Sequence, residues 1–193
     1  MRENTITGRS SPLRCEKRVN PIISVITLTH NKLAVTKKCL SSWFQTAYSP
    51  WELIVVENGS TDGTWESLKD LAKAAERAGV ELRVVRNEKN IGCSTARNQG
   101  IDAAKGGKVV FVDNDVALRS RDWLTRLAGV LETVPHAAMA GPKLIYPSAP
   151  HAIQCAGVGI SRSGRVLFRG RGDVALAKNV VRPPHNGPVG LEA

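Results

Sequence analysis

The chain has 193 residues, 42% of them hydrophobic, which is enough for one ordinary domain with a real core. Its net charge is +10, yet Lys plus Arg exceed Asp plus Glu by only three across residues 21–160, against three in residues 1–20 and four in residues 161–193. Aromatic and basic residues do not interleave on the part that reads as folded, so no nucleic-acid partner is expected, and an anionic ligand or an acidic membrane surface accounts for the charge instead.

Residues 1–20 are polar and basic, end at Pro21 and read as a mobile arm. They hold no apolar run for a signal peptide, and no later segment approaches the roughly 18 apolar residues of a membrane span. Cys15, Cys39, Cys93 and Cys155 lie far apart, without a CxxC pair or a metal-spaced His, so neither a zinc site nor a disulfide framework is indicated. The expectation is a reduced, cytoplasmic protein whose membrane contact is at most peripheral, at the cytoplasmic face.

"IISVITL", residues 22–28, is β-branched and apolar throughout, as a strand buried on both faces requires. A helix follows over 33–44, with Leu33, Thr36, Cys39 or Leu40, and Trp43 on one side. "WELIVVE", 51–57, is a second strand; "NGSTDGT" is a turn in which Asp62 or Thr64 can cap a helix running to Ala78 and stopped by Gly79. "VELRVVRN" is a third strand, "STARNQGIDAAK" a third helix, "KVVFVD" a fourth strand filling the middle of a sheet. Helix 122–133 and a short strand near 137–141 complete the series. This alternation with short connections predicts an α/β domain over residues 21–160, a mostly parallel central sheet flanked by helices. In residues 161–193 a hairpin turning at Ser161–Gly164 is followed by an irregular tail.

Ligands of open parallel sheets bind beyond the carboxyl ends of the strands, so the polar residues there are read together. They are Thr29, His30 and Asn31; Glu57, Asn58 and Asp62; Asn87 and the loop through Asn90 and Gly92; and Asp113, Asn114 and Asp115. Strand alternation sends Asp113 and Asp115 to one side, where unpaired carboxylates repel and a hard divalent cation, Mg²⁺ or Mn²⁺, resolves the conflict. The alternative is a turn with Asp113 capping and Asp115 solvated. Glu57 can accept from a ribose or base edge, or simply end its strand. Arg97, in the first turns of a helix, suits phosphate oxygens; its alternative is a surface pair with Asp102 or Glu88. His30 by itself is a polar residue finishing a strand.

Four motifs in order, "ISVITLTHNK", "ELIVVENGSTDGT", "NEKNIGCSTARNQGI" and "VVFVDNDV", make residues 22–141 resemble the family 2 glycosyltransferases, in particular their rhamnosyltransferase-like branch. The resemblance implies the GT-A (Rossmann-like) nucleotide-sugar-binding fold and inverting transfer of a sugar from a nucleotide-diphosphate sugar to a glycan or lipid-linked acceptor hydroxyl. It implies that Thr29, His30 and Glu57 contact the nucleoside, Glu57 standing where the family more often has Asp. Asn58 and Asp62 would shape the loop after Glu57, Asn90 and Gly92 would be among the substrate-binding residues, and Arg97 would face the diphosphate. Asp113 would lie near ribose and metal, Asn114 in the variable middle position, and Asp115 on the metal. The family takes its general base from an acidic tract in the acceptor-binding half; after Asp115 this chain offers only Asp122, Glu132, Asp173 and Glu192. No base is assigned, and residues 161–193 read as the start of an incomplete acceptor half.

Three other classes compete. A nucleotide-sugar-binding module without catalysis would share the donor site. A nucleotidyltransferase would want a Gly-rich, basic loop after the first strand, where "THNKLAVT" stands. A dehydrogenase would want a glycine fingerprint between strand and helix, whereas "GVGISRSG" falls in the hairpin.

Overall fold

The computed structural model describes residues 20–174; the rest of the arm and the tail from 175 onward lie outside the described residues. Strand β1 (Ile23–Thr29), helix α1 (Leu33–Trp43), β2 (Trp51–Asn58), α2 (Thr64–Arg77), β3 (Glu81–Asn87), α3 (Cys93–Asp102), β4 (Lys108–Phe111) and α4 (Trp123–Thr133) alternate as expected. The strands form one sheet in the order β3-β2-β1-β4, and every neighbouring pair is parallel. Thr29 therefore stands beside Glu57, Asn58 beside Asn87, and Ile26 beside Phe111. The expected α/β class with a parallel, helix-flanked sheet is the one that forms.

β1 and β2 are central and buried on both faces, which is why neither shows polar alternation. On one face Val25, Leu53 and Val55 pack with Leu40 and Trp43 of α1, Leu68 of α2 and Leu124 of α4. On the other, Ile26, Ile54 and Val56 receive Ala96 of α3. A Cβ on Gly100 would lie 2.5 Å from Cγ2 of buried Ile26, so α3 seats this closely because position 100 has no side chain. Burying each such Val, Leu or Ile contributes about 1.5–3 kcal/mol.

Two local expectations fail. β4 is an edge strand of the described sheet, with Val109 and Phe111 40% and 47% exposed, so it does not fill the middle. The strand expected near 137–141 is absent: after α4 the Ala137 N–H bonds back to the Val134 carbonyl, His136 takes φ 63°, and Met139 projects into solvent. The chain instead makes two small antiparallel pairs, β5 (Leu144–Ile145) with β6 (Ile153–Cys155), and β7 (Val158–Ile160) with β8 (Val166–Phe168). The second is the hairpin expected around Ser161–Gly164, closed by the Ser161 N–H on the Arg165 carbonyl.

One buried carboxylate ties the amino end of the sheet to the α3–β4 connection. Glu52 is 2% exposed; its Oε1 accepts from the Ser24 hydroxyl at 2.6 Å and the Lys105 N–H at 2.7 Å. The Ser24 oxygen in turn accepts from the Gly106 N–H at 2.8 Å. Replacing Glu52 with Ala strands the buried Ser24 hydroxyl and the part-buried Lys105 N–H, and denaturant unfolding should show a loss of about 2–3 kcal/mol, with Glu52→Gln losing less. An unchanged midpoint for Glu52→Ala would contradict the assignment.

Candidate functional site

Because the strands are parallel, their carboxyl ends and the following loops share one edge, and a cleft of about 290 Å³ opens there. Thr29, His30, Asn58, Asn90, Arg97, Asp113, Asn114 and Asp115 line it, together with Leu28, Lys32 and Cys93. Eight residues read from the strand ends thus meet in one place. Glu57, Asp62 and Gly92 are outside that lining.

The acidic pair reaches the cleft differently from the way strand alternation would place it. β4 ends at Phe111, and the Val116 N–H bonds to the Asp113 carbonyl, so Asp113-Asn114-Asp115 is a turn. Asn114 holds this turn: its amide donates to the Thr36 hydroxyl at 2.7 Å, beside Thr29. Asp113 leaves 69% of its side chain exposed and pairs with Arg97 at 3.0 Å. Arg97 also lies 5.9 Å from the Phe111 ring, and its partner is Asp113, not Asp102 or Glu88. Asp115 comes close enough to α1 that its charge, after burial itself, pushes the Cys39 thiol up.

The hard oxygens of Asp113 and Asp115 suit Mg²⁺ or Mn²⁺. Among the described residues no three His, Cys, Asp or Glu side chains gather to hold a metal by themselves. Such a cation would therefore complete its shell from water and a bound ligand, which is how Mg²⁺ is held on phosphates. The residues fit that group.

A ladder of amides sets the rest of the wall. Asn58 Oδ1 accepts from Asn87 Nδ2 and from the Ile91 N–H, and Asn58 Nδ2 donates to Asn90 Oδ1, which also accepts from the Gly92 N–H. Asn87 and Gln99 exchange two hydrogen bonds at 2.9 Å each. The Asn58 carbonyl accepts from His30 Nδ1 at 3.0 Å, so that nitrogen carries a proton. Gly59, at φ 75°, lets the loops touch, since a Cβ there would lie 2.5 Å from the Lys89 backbone.

Glu57 is fully buried. Its Oε1 accepts from the Ser60 N–H at 2.6 Å, and its Oε2 is 3.8 Å from Arg86 Nε, whose guanidinium stacks on Trp65. Lys32, Cys93 and Gln99 were not singled out from the sequence. Lys32 follows Asn31, and both take positive φ, 61° and 59°. Ser60 Oγ on the Asn31 N–H and Asn31 Oδ1 on the Thr61 N–H hold that bend. The polar run "THNK" was the available signal for Lys32; Gln99 gave none, because its partner is twelve residues away.

Comparison with known proteins gives a family model, Glycosyl transferase family 2, matching residues 24–154. A Bacillus subtilis (strain 168) protein named for teichuronic acid biosynthesis, the glycosyltransferase TuaG, is 36% identical over 95 residues, covering 49% of this chain and 36% of its own. Mannosyltransferase PcManGT from Pyrobaculum calidifontis, solved with GDP-Man and Mn²⁺, superposes with a TM-score of 0.53 at 25% identity, over 69% of this chain and 38% of that one. S. aureus TarS 1-349 in complex with UDP-GlcNAc gives 0.51 at 22% identity, over 65% and 38%. The sheet and its helices are those of the GT-A glycosyltransferases. The chain spans about a third of the length of the TuaG relative.

Asp62 sits just outside the cleft and organises two helix starts. Neither Asp62 nor Thr64 is the residue at the α2 cap, which is Gly63; Asp62 acts from one position earlier, with Oδ1 accepting from the Thr64 N–H and hydroxyl and Oδ2 from the Leu33 N–H of α1. The Thr64 hydroxyl first, then the Leu33 N–H, hold its carboxyl below the usual range. A carboxylate lowered in the folded state favours folding above its unfolded pKa and loses that contribution as pH falls through the folded value. Melting temperature should therefore decline below about pH 4, and Asp62→Asn should flatten that decline. Parallel acid limbs for the two proteins would refute this role.

Proposed function

The chain belongs to glycosyl transferase family 2, and from that membership we propose that the strand-end cleft is the donor site of an inverting glycosyltransferase. It moves a sugar from a nucleotide-diphosphate sugar to a glycan or lipid-linked hydroxyl in polysaccharide or glycan synthesis. The observation that carries this reading is the meeting of Asp113, Asp115 and Arg97 in one open cleft, with Arg97 3.0 Å from Asp113. The nucleotide sugars in the similar structures support the ligand class.

In this reading Thr29 and His30 meet the nucleoside, Asn58, Asn90 and Gly92 hold the loop beside it, and buried Glu57, which accepts from the Ser60 N–H, holds the strand end behind them instead of touching the ligand. Arg97 takes the diphosphate oxygens and Lys32 adds a second cation, while Asp113 and Asp115 hold Mg²⁺ or Mn²⁺. The divalent cation, when bound, neutralises the diphosphate as it departs. Arg97 contributes fixed donors to the same developing charge, the type of stabilisation that is often the largest catalytic term. Asp113 and Arg97 are each other's partner in the free chain. Each exchanges that partner for one of the same sign when cation and diphosphate enter. Asp122 is engaged with Arg126, and Glu132 with Lys108, so neither is assigned as the base that takes the acceptor proton.

Arg97→Ala should weaken nucleoside diphosphate binding about tenfold or more, since hydrogen bonds to charged groups contribute about 1.5–3 kcal/mol. Affinity for the bare nucleoside should hardly change, and an ion pair this exposed should leave the melting temperature nearly constant. Calorimetry and thermal melting read both. Unchanged diphosphate affinity with a large loss of stability would make Arg97 a structural residue.

A further inference from the structure

We propose that the β7–β8 hairpin is a docking surface for an anionic lipid bilayer. The antiparallel register sets Val158 opposite Phe168 and Ile160 opposite Val166, which puts these four side chains on one face. They are 60%, 47%, 71% and 57% exposed, a row of large apolar groups facing water. An apolar groove of about 490 Å³ adjoins them, lined by Met139, Pro142, Leu144 and Val158, and Met139 is 91% exposed.

Charge decides what covers this face. Arg162 and Arg165 lie in the turn at one end of the hairpin, and Arg169 and Arg171 follow β8 at the other, all exposed. Arg171 stacks over the Phe168 ring at 5.3 Å, so a cation lies directly beside the apolar row. No Asp or Glu occurs from residue 133 to residue 172. A second copy of the chain would bring arginines against arginines without carboxylates from this segment to answer them. Anionic headgroups answer them directly, while the acyl boundary beneath takes Val158, Ile160, Val166 and Phe168. None of the four apolar side chains lines the donor cleft. An anionic bilayer gives Arg162, Arg165, Arg169 and Arg171 a partner.

The test is co-sedimentation of the full 193-residue chain with vesicles of phosphatidylcholine, with and without phosphatidylglycerol. Binding is expected only with the anionic lipid and should weaken as salt rises. Arg162→Gln with Arg165→Gln should weaken it about thirtyfold, since each basic residue near such a surface contributes about fivefold. Ile160→Ser with Phe168→Ser should weaken it about tenfold or more by removing apolar insertion. These side chains are exposed, and circular dichroism checks that the variants remain folded. No vesicle binding by the unaltered chain, equal binding to neutral vesicles, or full binding by the Ser variant would each overturn the proposal. So would a dimer of the unaltered chain that the Ser substitutions dissociate.

Discussion

Parallel pairing of β1 with β2 and β4 is the constraint on which the site depends. Strands that run the same way end at the same edge, and each must return through a helix, so four loops are brought to one side of the molecule. The register then fixes the neighbours: Thr29 with Glu57, Asn58 with Asn87, and the turn after β4 beside the end of β1. Distant residues such as Arg97 and Asp113 meet because α3 lies against this sheet through Ala96 and Gly100. A shift of one residue in β1 would turn Thr29 away from Thr36 and Asn114, and the acidic turn would lose its anchor.

The edge is also sorted by chemistry. The amide ladder of Asn58, Asn87, Asn90 and Gln99 is neutral and satisfied within the protein, which suits a wall. The charged groups of the cleft have exposed side chains: Arg97 by 40% and Asp113 by 69%. A buried pair of this type would resist exchange of partners. An exposed one would give up little if a diphosphate and a cation replaced it. Among the described residues no helix is long and apolar enough to cross a membrane.

Much of this was legible in the sequence, for physical reasons that can be named. β-branched runs such as "ISVITLT" and "LIVV" announced the two central strands, because only burial on both faces tolerates them. The turn "SRSG" announced the β7–β8 hairpin. The strand-end polar residues were legible because topology alone sends them to one edge. What failed depended on contacts distant in sequence. β4 reads as central by composition, yet only β1 pairs with it among the described residues. "AAMAG" reads as a strand but pairs with none among the described residues. Glu57 reads as an open acceptor, while one of its oxygens is engaged by Ser60 in a turn three residues on. Asp62 reads as a cap for one helix and serves two, since the start of α1 lies beside it only after folding.

In the proposed function the Asp113-Asn114-Asp115 turn and Arg97 form one site for a nucleoside diphosphate and a divalent cation. Calorimetric titration of UDP and GDP into the chain, with Mn²⁺ and again after chelation, tests it most directly. Binding of at least one of them should depend on the metal and fall sharply on chelation, and an Asp115→Ala chain should behave with Mn²⁺ as the unaltered chain does without it. Equal affinity with and without Mn²⁺, or an Asp115→Ala chain that keeps the full metal effect, would contradict it.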